Sequence, residues 1–152
     1  MEELKVDFET TQFIVIKIGK EQYGIDIKFI DNIVRMQHIT RVPKVANYLK
    51  GVINLRGEII PVMSIRIKMN LEEDIYEKAT RIIILKVDQL ETMGIIVDEV
   101  KEVVTLDASE IEKVSYDSKD ESTNYIFGIG KYEGELISLL DLHTVLTEKD
   151  YV

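Results

Sequence analysis

Residues 50–62 read KGVINLRGEIIPV. Two apolar runs flank the pair Arg56-Gly57, the pattern of a chain that folds back on itself, with Gly57 supplying the positive φ that a tight hairpin needs. Arg56 then stands near the tip. Whether that guanidinium is an ordinary solvated turn residue or is presented to a partner depends on what the rest of the chain builds.

Similar runs recur along the sequence: FIVIKI (13–18), YGIDI (23–27), GVINL (51–55), EIIPVM (58–63), RIIILKV (81–87), MGIIV (93–97) and ELISLL (135–140). Short, apolar, β-branched runs read as strands, so helix is a minor component. The chain also repeats itself. YLKGVINLRGEIIPVMSI (48–65) lies over YIFGIGKYEGELISLLDL (125–142) at an offset of 77, matching Gly51 to Gly128, Gly57 to Gly134 and Glu58 to Glu135. At an offset of 69–70, FIVIKI and YGIDIKFIDNIV (23–34) lie over IIILKV (82–87) and MGIIVDEVKEVV (93–104). A period this long points to a duplicated domain rather than a solenoid.

The expected fold is therefore all-β: two packed five-stranded barrels related by internal duplication, since closing a small sheet removes the edges that invite aggregation. The expected domain spans 11–147, with subdomains at about 23–68 and 82–147 and the strand 11–19 able to pair with either. Val52-Ile53, Ile59-Ile60 and Ile82-Ile83-Ile84 break the apolar/polar alternation of a half-buried strand. Strands covered on both faces explain this, so the barrels should share a hydrophobic contact. Each hairpin should end in a helical turn, capped by Ser64 in the first copy and Asp141 in the second, with Asn70 as a left-handed C-terminal residue. Pro61 lacks a donor and belongs at an edge or bulge. MNLEEDIYEKATR (69–81) reads as the link between halves and SYDSKDESTNY (115–125) as a long polar loop.

Composition narrows the function. Lys and Arg number 19 against 28 Asp and Glu, a net charge of −9 in 152 residues. Nucleic acid and anionic membranes are repelled on average, and no basic stripe stands out against that charge. The acidic opening MEELKVDFETTQ has neither the basic nor the apolar region of an export signal, and no run approaches membrane-spanning length, which points to the cytoplasm. There is no Cys, hence no disulfide, thiolate metal site or cysteine nucleophile. His38 and His143 have no second ligand at metal spacing, and no GxSxG, HExxH or Walker motif is present. The acidic groups Glu72-Glu73-Asp74, Asp98-Glu99 and Asp117–Glu121 read as solvated faces. No catalytic residue, cofactor or metal is expected. A small-barrel module for single-stranded nucleic acid is the alternative, but seven Tyr and four Phe are not clustered with Lys or Arg.

With the segment VPKVANYLKGVINLRGEIIPVMSI (42–65), preceded by YGIDIKFIDNIV and followed by MGIIVDEVKEVV and YIFGIGKYEGELISLLDL, the chain resembles the bacterial chemotaxis coupling family CheW over residues 11–147. Pro43, the run Gly51 to Gly57 and Pro61-Val62 carry the resemblance, supported by Val97-Asp98-Glu99-Val100. The resemblance implies two SH3-like barrels and a non-enzymatic adaptor, monomeric when isolated. Its implied partners are the cytoplasmic tip of methyl-accepting chemoreceptors and the C-terminal regulatory barrels of the histidine kinase CheA. It implies neither nucleic acid nor direct membrane contact, and a cytoplasmic place in receptor arrays. Ser64 and Asn70 stand where the family usually has Asp or Asn and Gly; both replacements preserve the local geometry. By resemblance Arg56 and Asn54 face the receptor, and Ile33, Val34, Val100, Val103 and Val104 beside the crease between barrels supply apolar contact. The kinase contact is expected on the second barrel, near Ile82 to Val104. Gly51, Gly57, Gly128, Gly134, Ser64 and Asp141 are expected to be structural turn and cap residues.

Overall fold

In the computed structural model residues 10–114 and 125–147 are described. The strands are β1 (Thr10–Ile18), β2 (Glu21–Asp26), β3 (Ile30–Arg35), β4 (Leu49–Leu55), β5 (Glu58–Ser64), β6 (Arg81–Leu85), β7 (Met93–Val97), β8 (Glu99–Asp107), β9 (Ile111–Lys113), β10 (Ile126–Tyr132) and β11 (Glu135–Leu140). One-turn helices α1 (Ile65–Lys68) and α2 (Leu142–Leu146) follow β5 and β11. The polar stretch 115–124 lies outside the described residues.

The strands form two sheets, in the orders β8-β1-β2-β11-β10-β9 and β3-β6-β7-β5-β4. Their composition departs from the division by sequence position into 23–68 and 82–147. β1 and β2 join the sheet of β8–β11, whereas β6 and β7 join that of β3–β5. The chain crosses from one sheet to the other at the 3-10 turn Ile27–Phe29 and again at Asp98. The strand 11–19 belongs to the six-stranded sheet alone, paired with β2 and β8. Hydrophobic covering decides this, because strands apolar on both faces need a partner layer on each side.

Alternating side chains supply those layers. Phe13 and Val15 point into the six-stranded sheet with Val104, Leu106, Ile137 and Leu139, and Ile82 and Ile84 point into the five-stranded sheet with Ile53, Ile60, Val62 and Ile96. The intervening residues Ile14, Ile16, Ile83 and Leu85 fill a third core between the sheets, with Ile25, Met63, Ile95 and Leu140. Each sheet thus wraps its own small core, and the two barrels are glued by a third. Burying an Ile or Leu side chain is worth about 1.5–3 kcal/mol, so a shared core of this size makes the pair one body.

The repeat survives at the level of register. Gly51 pairs with Val62 as Gly128 pairs with Leu139, and Phe13 pairs with Val104 as Ile82 pairs with Val34. Thr40 forms a single bridge to Val52 where Glu112 of β9 pairs with Ile129, so the sixth strand of one barrel is reduced to one bridge in the other. Ser64 Oγ accepts from Ile67 N and Asp141 Oδ1 from Thr144 N, the expected caps, and Asn70 has φ 62°. Pro61 sits in β5 just before its parallel pairing with β7 begins at Val62, on a flank that needs no donor.

Gly51 and Gly128 are aligned but constrained differently. Gly51 has φ +144°, and a Cβ there would lie 2.1 Å from the Thr40 carbonyl oxygen, while a Cβ on Gly128 would meet its nearest atom, a methyl of Ile111, at 3.0 Å. Gly51→Ala should therefore cost about 3 kcal/mol in urea unfolding and Gly128→Ala about 1 kcal/mol. Equal costs would show that the Thr40 bridge does not set the backbone there.

Candidate docking surfaces

The hairpin tip of the opening segment uses positive φ at both central residues, 55° at Arg56 and 86° at Gly57, a type I′ turn rather than one positive-φ position. Asn54 Oδ1 accepts from Gly57 N at 2.9 Å and holds the turn closed. The second copy repeats the geometry with Glu133 at 51° and Gly134 at 82°. The turn therefore does not require a guanidinium. Arg56 is exposed and has no hydrogen-bond or ion-pair partner among the described residues, so its five donors are free.

The five aliphatic residues expected beside the crease do not share one surface. Ile33 and Val100 are half-buried against the inter-barrel core. Val34 packs inside the five-stranded barrel and Val104, 2% exposed, inside the other. Val104 has no side-chain surface to present to a partner, a correction that follows from strand alternation, whereas Val34 is half-buried and turned toward the barrel core. Val103, the neighbour of Val104, faces outward and is 48% exposed. The range Ile82 to Val104 is also narrowed as a kinase surface. β6 and β7 are central strands covered on both faces, so the exposed residues of this range lie in the β6–β7 connection, at Lys86 and Asp88–Glu91, and along edge strand β8 between Glu99 and Val103.

Two of the acidic groups read as solvated are held. Arg66 Nη2 and Nε donate to Asp98 at 2.6 and 3.2 Å, and Gly19 N donates to Asp98 Oδ2 at 2.7 Å, so one carboxylate ties α1 to the β1–β2 turn of the other barrel. Burial alone would raise the Asp98 carboxyl, but the Arg66 hydrogen bond, the Gly19 amide and the Arg66 charge outweigh it and hold it below the usual aspartate range. Asp74 goes the other way. Burial pushes it up, against the Ser64 hydroxyl that donates to it at 2.5 Å and the charge of Arg66. At the equivalent place in the second copy, His143 Nε2 lies 2.8 Å from Asp88 Oδ2, a partner far away in sequence. No group of three or more His, Cys, Asp or Glu able to hold a metal occurs among the described residues.

A surface absent from the sequence expectations is a groove of about 900 Å³ between the β3–β4 connection and the 73–76 segment. Arg41, Lys44 and Lys50 line it with Val42, Val45 and Tyr76, and Glu73 is its one acidic residue. The finding corrects the reading that no basic stripe is present: residues 32–57 contain five basic and no acidic residues. The signal was legible as a gap in acidic residues, masked by the net charge of the whole chain. The duplicated stretch 102–134 carries eight acidic and three basic residues, so the two corresponding stretches of sequence have opposite net charge, +5 against −5. Tyr76, 49% exposed, is the single Phe, Tyr or Trp lining the groove, and Tyr48 nearby is half-buried beneath Lys68, so no series of stacking platforms accompanies it among the described residues.

The chain is a module of two β-barrels packed on a shared core, with Arg56 and Val103 exposed on its outside. The family model for the CheW-like domain matches residues 12–150. Chemotaxis protein CheW of Bacillus subtilis is 36% identical over 138 residues, covering 91% of this chain and 88% of that protein. CheW of Helicobacter pylori is 34% identical over 143 residues, covering 94% and 85%. The crystal structure of scaffolding protein TtCheW from Thermoanaerobacter tengcongensis superimposes with a TM-score of 0.83 at 30% identity, over 91% of this chain and 94% of that one. The chain belongs to the CheW family of chemotaxis coupling adaptors, and the nucleic-acid alternative is not favoured.

Since the Asp98 carboxyl is lowered on folding, its stabilisation is present above the unfolded pKa, near 3.9, and is lost as pH falls through the folded value. Asp74, raised on folding, contributes with the opposite sign. Asp98→Asn should lower stability at pH 7 by about 2 kcal/mol and flatten the loss of stability below about pH 4, read by urea unfolding at a series of pH values. An unchanged acid limb would remove Asp98 as its source.

Proposed function

We propose that this chain couples the cytoplasmic tip of methyl-accepting chemoreceptors to the C-terminal barrels of the histidine kinase CheA, as a cytoplasmic adaptor with no chemistry of its own. The observation that carries this reading is Arg56, exposed on a closed hairpin and unpaired among the described residues, in a member of a coupling family whose duplicated turn does without it. A planar guanidinium with free donors suits the carboxylates and carbonyls on the flank of a receptor helix. Asn54 fixes the turn that aims it, and Ile33, Val100 and the exposed Val103 are the apolar receptor contacts. The kinase is assigned the separate basic groove at Arg41, Lys44 and Lys50 in place of the expected range Ile82 to Val104, because the exposed β8 residues of that range lie among the receptor contacts and an adaptor must hold both partners at once. Among the described residues no helix is long and apolar enough to cross a membrane, in keeping with recruitment through the receptor.

Arg56→Ala should leave the thermal midpoint within about 1 °C and weaken capture of a receptor-tip fragment tenfold or more, the loss expected above about 1.4 kcal/mol at a hot spot. Equal losses of stability and binding would make Arg56 structural. The double variant Arg41→Glu with Lys44→Glu should spare receptor capture while weakening binding to the CheA barrels, with a reduced salt dependence. Loss of receptor capture alone would reverse the assignment of the two surfaces.

A further inference from the structure

We infer that the two repeats are interlocked partners, each recognising its counterpart in trans, and that the molecule is a covalently joined form of a two-fold strand-exchange dimer. Taken alone, residues 10–68 retain only the β1–β2 and β4–β5 ladders, and the second repeat retains β6–β7, β10–β11 and β9–β10. The other four ladders, β1–β8, β3–β6, β2–β11 and β5–β7, all join one repeat to the other. Neither repeat can complete a sheet by itself among the described strands.

The cross-repeat ladders are reciprocal residue by residue. Phe13 of the first repeat faces Val104 of the second, and Ile82, the counterpart of Phe13, faces Val34, the counterpart of Val104. The parallel ladders obey the same rule, with Gly24 opposite Leu139 and Gly94 opposite Val62. This is the signature of an isologous interface, in which i meets j and j meets i. The core between the barrels is shared nearly evenly, seven buried residues from the first repeat, eight from the second and Met69 from the join. Sequence symmetry alone would be equally served by two self-contained barrels in a row; the exchange of β1-β2 for β6-β7 is what that arrangement lacks. The covalent join at 69–80 raises the effective concentration of each half for the other, so its removal should convert folding into a two-body association.

The test is a full-length chain with a protease site inserted between Ile75 and Tyr76, which are 75% and 49% exposed, cut after folding. The cut protein should elute at micromolar concentration with the uncut one and unfold in a single transition whose midpoint falls on dilution, while that of the uncut chain does not move. After unfolding and refolding a mixture of cut proteins, only one carrying an affinity tag on its second half, that tag should retrieve untagged first halves. Separation of the pieces on the column, or two transitions indifferent to concentration, would overturn the inference. In case the insertion impairs folding, hydrogen exchange of the intact chain supplies a second reading. Ile83→Ala should lower amide protection equally in both sheets, and a loss confined to the sheet of β6 would overturn the inference as well.

Discussion

The rest of the structure depends on the burial of both faces of a few short strands. Alternate residues of β1 and β6 point in opposite directions, one set into a barrel and the other into the core between barrels. A strand with apolar residues on both faces cannot lie at the surface of a single small barrel. It needs a second layer, and the second copy of the unit provides it. Once β1, β2, β6 and β7 are held in this way, the hairpins β4–β5 and β10–β11 are carried on their outer flanks with turns and polar faces in solvent.

That division of labour explains how a duplicated fold came to carry unlike surfaces. A type I′ turn constrains φ and ψ and asks little of the first side chain beyond tolerating the left-handed region, so Arg56 and Glu133 occupy the same geometry with opposite charge. The clamps across the seam diverged similarly. In one copy Arg66 reaches the β1–β2 turn through Asp98; in the other His143 reaches Asp88 in the β6–β7 connection directly. The first is largely shielded from water and holds α1 firmly. The second pair is mostly exposed and contributes less, as solvated pairs do. Matching backbones with mismatched charge give one molecule two unlike faces.

Much of this was legible in the residues because local rules and the tertiary structure agree. β-branched runs separated by turn formers placed the central strands, Ser64 and Asp141 marked the helical turns, and the repeated glycines marked the duplication. The run IIIL, apolar without alternation, announced a shared hydrophobic contact before any geometry was known. Ile53 and Ile60 of the first hairpin instead fill one barrel only and Ile59 is 59% exposed, against the expectation that those pairs are covered on both faces. Edge strands were less visible. β8 is nine residues long, yet its outward Glu and Lys residues dilute the apolar pattern, and β9 is too short to register.

The sequence by itself determined the elements, the repeat and the existence of a core between the two units, since hydrophobic period and turn chemistry are local properties of the chain. Only the tertiary structure decided which strands share a sheet. An antiparallel pair and a parallel pair with the same hydrophobic faces look alike in sequence, so nothing local distinguishes a barrel closed within a repeat from one closed by exchange. The same holds for the surface. Val103 and Val104 are the same residue type side by side, and which of them meets solvent follows from the face of the strand that the other barrel happens to cover.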